Sequence, residues 1–133
     1  KYNYIYAKDI KGADVLEHQR VVILSKNPKF NYAFARDIKM CDIKEHERVV
    51  LESKNPEWCL AFSKDVPGAN RELHEKVIIE SGSPLYNYLY AKLFVDALME
   101  EHKKVVMDSG DFEYIEKWNT TFNDGELKLV KKL

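Results

Sequence analysis

Residues 28–55, PKFNYAFARDIKMCDIKEHERVVLESKN, and residues 56–83, PEWCLAFSKDVPGANRELHEKVIIESGS, are two copies of one 28-residue unit. Pro28, Pro56 and Pro84 open successive units. His18, His46, His74 and His102, all the histidines of the chain, share one phase. A fixed period of this size marks one supersecondary element stacked on itself. The residues at the unit's edges say which element. Asn27, Asn55, Ser83 and Asp111 are N-cap types, and proline follows three of them. Proline at the first helical position gives up only a donor that has no helical partner. A first helix of about ten residues follows, ending near Lys11-Gly12, Lys39-Met40 and Pro67-Gly68. A second helix starts behind Asp14, Asp42 and Asn70, and Glu17 and Glu45 complete a capping box with the two aspartates. It stops around Ser25-Lys26, Ser53-Lys54, Ser81-Gly82 and Ser109-Gly110, where lysine is a poorer left-handed cap than glycine.

The expected fold is therefore all-α: a right-handed α-solenoid of two-helix repeats, about four helical hairpins with a C-terminal capping helix. The whole chain, 1–133, is expected to be one domain, with units 1–27, 28–55, 56–83 and 84–111 and a cap over 112–133, its last helix formed by Glu126 to Leu133. The fourth unit carries Leu93-Phe94-Val95-Asp96-Ala97 in place of the usual turn. Two helices are expected there, the second capped by Asp96, in preference to one bent helix over 85–107.

Phase then sorts core from surface. On the first helix Phe30, Ala33, Phe34 and Ile38 share a face, as do Trp58, Ala61, Phe62 and Val66, and Tyr86, Leu89, Tyr90 and Phe94. The columns Tyr2-Phe30-Trp58-Tyr86-Tyr114 and Tyr6-Phe34-Phe62-Tyr90-Trp118 are expected core, and the small column Ala7-Ala35-Ser63-Ala91 marks close helix approach. On the second helix Val21-Val22, Val49-Val50, Val77-Ile78 and Val105-Val106 face inward, with a histidine at the centre of each face. Its outer face pairs Arg20, Arg48, Lys76 and Lys104 with glutamates and an aspartate at helical spacing, a solvated salt-laced surface.

The histidine row invites a metal reading, and geometry opposes a shared one. Zinc ligands stand about 2.0–2.3 Å from the ion, whereas stacked helices lie roughly 8–10 Å apart, and no carboxylate or thiolate is read at matching phase. The imidazoles are instead expected to be packed and neutral, with Asp9, Asp37 and Asp65 as partners, so that stability falls as pH drops below about 6.

The chain carries a formal charge of −1, two cysteines outside any CxxC pair, and no run of apolar residues long enough to cross a membrane. These point to a cytoplasmic protein with no membrane role. Lys1 falls inside a repeat and is not an initiator methionine, which leaves open whether residues precede it. No nucleophile–base arrangement, phosphate loop or metal spacing is present, so no enzymatic activity, cofactor or metal is expected. What core packing leaves over is a ladder on the first helix: Tyr4, Tyr32, Leu60 and Tyr88, with Lys8, Arg36, Lys64 and Lys92 one turn on. Asn3, Asn31 and Asn87 adjoin it and are read as added hydrogen-bonding groups. Aromatics interleaved with cations suit an acidic, aromatic peptide or, alternatively, bases and phosphates.

The segments Lys11-Gly12-Ala13-Asp14-Val15, Val22-Ile23-Leu24-Ser25-Lys26-Asn27-Pro28 and Phe34-Ala35-Arg36-Asp37-Ile38 resemble tandem helical repeats of bacterial and phage proteins, whose pattern runs close to Asp-Pro-x-Tyr-x-Tyr-x-Phe-Ala-x-Asp-Val-x-Gly-Ala-Asp. That pattern usually has an aliphatic residue where this chain has histidine. The resemblance implies the helical fold and carries no assigned activity. The expected function is a binding or scaffold module for a protein or peptide, through the ladder face. Nucleic-acid binding by the same face is the alternative, and a structural spacer within a longer protein is a further one.

Overall fold

In a computed structural model that describes residues 15–39 and 41–123, the described chain forms eight α-helices and no strand. They are α1 (Val15–Ser25), α2 (Pro28–Asp37), α3 (Ile43–Glu52), α4 (Pro56–Asp65), α5 (Arg71–Ser81), α6 (Pro84–Leu93), α7 (Met99–Asp108) and α8 (Phe112–Trp118), the last followed by a π-helical turn at Asn119–Asn123. The all-helical expectation holds. The first helix of unit 1–27, with Tyr4, Lys8, Asp9 and Asp14, and the expected cap at Glu126 to Leu133 lie outside the described residues.

The caps explain the boundaries. The side chains of Asn27, Asn55, Ser83 and Asp111 accept from backbone N–H groups one turn into α2, α4, α6 and α8. The first helices end a residue or two before the expected stop. Ile38, Val66 and Phe94 are already extended, and their N–H groups bond back to Phe34, Phe62 and Tyr90. Val66 precedes proline, which disfavours the helical region, and extension carries Ile38 and Val66 into the core, at 8% and 3% exposure.

Another column joins the helices end to end. Ser25, Ser53, Ser81 and Ser109 each donate their hydroxyl to a carbonyl one turn back, at 2.5–2.6 Å, and accept the N–H of the following N-cap residue. The chain then reverses through a left-handed residue, Lys26 (φ 55°), Lys54 (57°), Gly82 (69°) or Gly110 (72°).

The chain divides into two compact units within α5, after Val77. In the first, α2 packs on α4 and α1 on α3, while α2 joins the layers through α1 and α3. Val22, Phe34 and Ile38 form one buried cluster there. In the second, α6 packs on α7 and α8 around Tyr88, Ala91, Val106 and Trp118. The column Phe34, Phe62, Tyr90 and Trp118 is buried throughout, and Phe30, Trp58, Tyr86 and Tyr114 are half-buried. Ala35, Ser63 and Ala91 are buried as expected. Val21 departs from its column at 40% exposure.

The fourth unit does form two helices, but Asp96 is not the cap. Leu98 occupies the N-cap position of α7 and makes no side-chain cap bond. At the same phase Asn70 accepts from Leu73 N–H at 3.3 Å. Leu98 is 49% exposed, so little burial is lost by replacing it. Leu98→Asn is expected to stabilise the protein by about 1 kcal/mol, read as a rise in urea midpoint at unchanged slope.

Candidate functional site

The histidines stand where the helix layers meet. His46, His74 and His102 are fully buried and stack on Phe34, Phe62 and Tyr90, with ring centroids 4.9, 5.1 and 5.2 Å apart and the same 26° between planes. His18 is half-buried. The expectation of packed imidazoles is met for the three, but their partners are not the helix-end aspartates. Asp37 chelates Arg36 and Asp65 receives the Tyr32 hydroxyl, while Asp9 lies outside the described residues. Asn31 and Asn87 take the role instead. Both are fully buried, so they are not ladder groups. Asn31 Nδ2 donates to the carbonyls of Val22 (3.0 Å) and Asn27 (2.8 Å), and Asn87 Nδ2 to those of Ile78 (2.9 Å) and Ser83 (2.7 Å). Each amide oxygen is thereby turned to a histidine, 2.7 Å from Nδ1 of His46 and of His102. Nδ1 therefore carries the proton in both.

The other ring nitrogen faces the second helix of the preceding repeat. Gln19 Oε1 lies 3.3 Å from His46 Nε2 and accepts Asp42 N–H at 2.5 Å. Glu47 Oε2 repeats the geometry, 2.9 Å from His74 Nε2 and 2.7 Å from Asn70 N. Asp42 is thus half a capping box: it accepts Glu45 N–H at 3.3 Å, but Glu45 turns away to Arg48. Burial drives His46 down to about 4, against the pull of Asp42 and Glu45. It lowers His74 as well, against Glu47. Contrary to the sequence reading, a carboxylate and a thiol do occur at matching phase: Glu47 on His74, and Cys59 in the register of Asn31 and Asn87.

The ladder residues divide. Tyr32 and Tyr88 are buried, at 6% and 7% exposure. The Tyr32 ring packs on Trp58 at 5.5 Å and its hydroxyl donates to Asp65, while the Tyr88 hydroxyl pairs with Thr121 at 2.9 Å. Burial, reinforced by Asp65, pushes the Tyr32 phenol up. Leu60 is half-buried. The cations Arg36, Lys64 and Lys92 remain exposed. Arg36 lies over the Tyr32 ring at 5.0 Å and Lys92 over the Tyr88 ring at 5.8 Å. Arg36 is also held in a fork on Asp37. In the second unit Tyr88, Glu113, Glu116, Lys117, Thr120 and Thr121 line an open hollow of about 360 Å³.

The outer face of the second helices carries the expected pairs, Arg48 with Glu45 and Glu52, and Lys104 with Asp108. Among the described residues no three His, Cys, Asp or Glu side chains converge on a common metal position, and no helix is long and apolar enough to cross a membrane. No family model, curated protein or solved structure matches the chain, so the likeness to tandem helical repeats rests on the quoted motifs.

Proposed function

We propose that the chain is a non-enzymatic binding module that engages an acidic segment of a protein or peptide through the cations of its first helices. Support comes from one observation made in both units: a cation carried outward over a buried tyrosine, Arg36 on Tyr32 and Lys92 on Tyr88. A side chain held over a ring loses less freedom on binding than a free one. We also read the recurring serine, asparagine and histidine bonds as the joints of a right-handed solenoid. Burial of the tyrosine rings disfavours base stacking, since a stacking platform must expose its face. The peptide reading is therefore preferred to the nucleic-acid one.

The test compares a display library rich in Glu, Asp and Tyr with a labelled oligothymidine. Peptide binding is expected, with at least tenfold loss in Lys64→Glu/Lys92→Glu and a smaller loss in Arg36→Glu, whose charge Asp37 already offsets. Oligothymidine bound more tightly than any selected peptide, with affinity falling steeply with salt, would replace this reading. Binding of neither would favour a structural spacer.

A further inference from the structure

The three buried histidine layers share one plan, and His74 departs from it at Nδ1. The ring of His74 has the same stacking angle as those of His46 and His102, and its Nε2 meets Glu47 as that of His46 meets Gln19. Its Nδ1 must then point where theirs do, toward the residue at the phase of Asn31 and Asn87. That residue is Cys59, fully buried, with its sulfur 3.8 Å from the Val50 carbonyl. His74 Nδ1 is buried without a hydrogen-bond partner.

The tautomer follows. Glu47 is a carboxylate acceptor, so the proton of His74 sits on Nε2 and the lone pair of Nδ1 is turned toward the thiol. An imidazole fixed by a carboxylate on one nitrogen, with its other lone pair directed at a cysteine, is the arrangement of a metal-binding histidine with its outer partner. We propose that Cys59 Sγ and His74 Nδ1 form a two-coordinate site for a soft monovalent d¹⁰ ion, of the class of Cu⁺ and Ag⁺. Ligand type selects such an ion, since thiolate favours Cu⁺. Charge selects it too. Cu⁺ displaces the thiol proton, which leaves to solvent, and the buried site keeps its net charge. Zn²⁺ would add a positive charge and would lack two of its four ligands. Burial pushes the Cys59 thiol up to about 12, so it stays protonated until an ion replaces the proton.

Cys41, half-buried with its sulfur 4.0 Å from the Ala35 carbonyl, is the competing thiol, so the test is made in Cys41→Ser protein. Under anaerobic reducing conditions, with Cu⁺ buffered by bathocuproine disulfonate, this protein is expected to take up one equivalent per chain. A thiolate-to-copper band in the near ultraviolet and an X-ray absorption shell of one sulfur and one imidazole nitrogen should accompany uptake. Adding Cys59→Ser or Cys59→Asn should weaken binding at least a hundredfold. Cys59→Ser keeps a donor for the Val50 carbonyl or the Nδ1 lone pair at nearly the same volume, so its melting temperature should fall little, which separates loss of the site from loss of the fold. Zn²⁺ at the same concentration should not bind. No uptake, equal uptake with Asn at position 59, or a sulfur-only shell would overturn the assignment.

Discussion

Lowering the pH from 7 to 4 is expected to remove about 3 kcal/mol of stability through His46 alone. The sign follows from which state binds the proton. In the unfolded chain this imidazole titrates near its ordinary 6.5, and in the folded protein burial holds it at about 4. Below 6.5 the unfolded state takes up a proton that the folded state refuses, so acid favours unfolding. The loss reaches about 2 kcal/mol by pH 5 and levels off below about 4, where the folded state is protonated as well. The surroundings agree with burial as the main cause. His46 faces two neutral amides, Asn31 and Gln19, and the Phe34 ring, while Asp42 and Glu45 attract the proton without overcoming burial. Carboxylates elsewhere titrate in the same range, so the decisive quantity is a difference. Urea unfolding of wild type and His46→Leu at pH 7, 6, 5 and 4 should show the variant less sensitive to acid by about 2–3 kcal/mol across that span. A variant as acid-sensitive as wild type would show that His46 does not carry the effect.

The helices and their starts are legible in the sequence because each is announced locally. A cap residue followed by proline, a face repeating at helical spacing and a 28-residue period are signals carried by neighbours in the chain. The polar interior is not legible, for two reasons. Asparagine beside a tyrosine reads as surface by residue type, and only the folded chain satisfies Asn31 with two carbonyls and an imidazole. Gln19 and Glu47 directly follow a histidine, so on an isolated helix they point about 100° away from that histidine's face. They reach the next histidine across 27 residues, a tertiary contact that no helical spacing encodes. A signal does exist at the scale of the repeat. Tyr32 pairs with Asp65 and Tyr88 with Thr121, both 33 residues on. Leu60, which has no hydroxyl, is followed at the same interval by Leu93, where the aspartate has been lost. This matched loss of hydroxyl and acceptor, a repeat apart, is the mark in the sequence that the tyrosine column packs between repeats.

Glu47 offers the sharpest separation of charge from hydrogen bonding, because the protein already contains the control. Glu47→Ala should destabilise the fold by about 3 kcal/mol at pH 7, since it strips the acceptor from a buried donor, His74 Nε2–H, and from a part-buried one, Asn70 N–H. Glu47→Gln should stay within about 1 kcal/mol of wild type. One layer away Gln19 holds Asp42 N–H with an amide oxygen, as Glu47 holds Asn70 N–H, so an amide serves at this phase. The glutamine variant also removes the carboxylate that favours protonated His74 against burial, so His74 should then resist protonation even further below 6.5. Stability of Glu47→Gln should accordingly fall more steeply than wild type as pH is lowered from 6.5, although the two match at pH 7. If Glu47→Gln were instead as unstable as Glu47→Ala at neutral pH, the negative charge itself would be what the layer requires. The likeness to Gln19 would then be one of shape and not of energy. Equal stability at pH 7 with divergent acid limbs would establish that the repeat needs an acceptor oxygen at this phase, and that its charge sets only the response to protons.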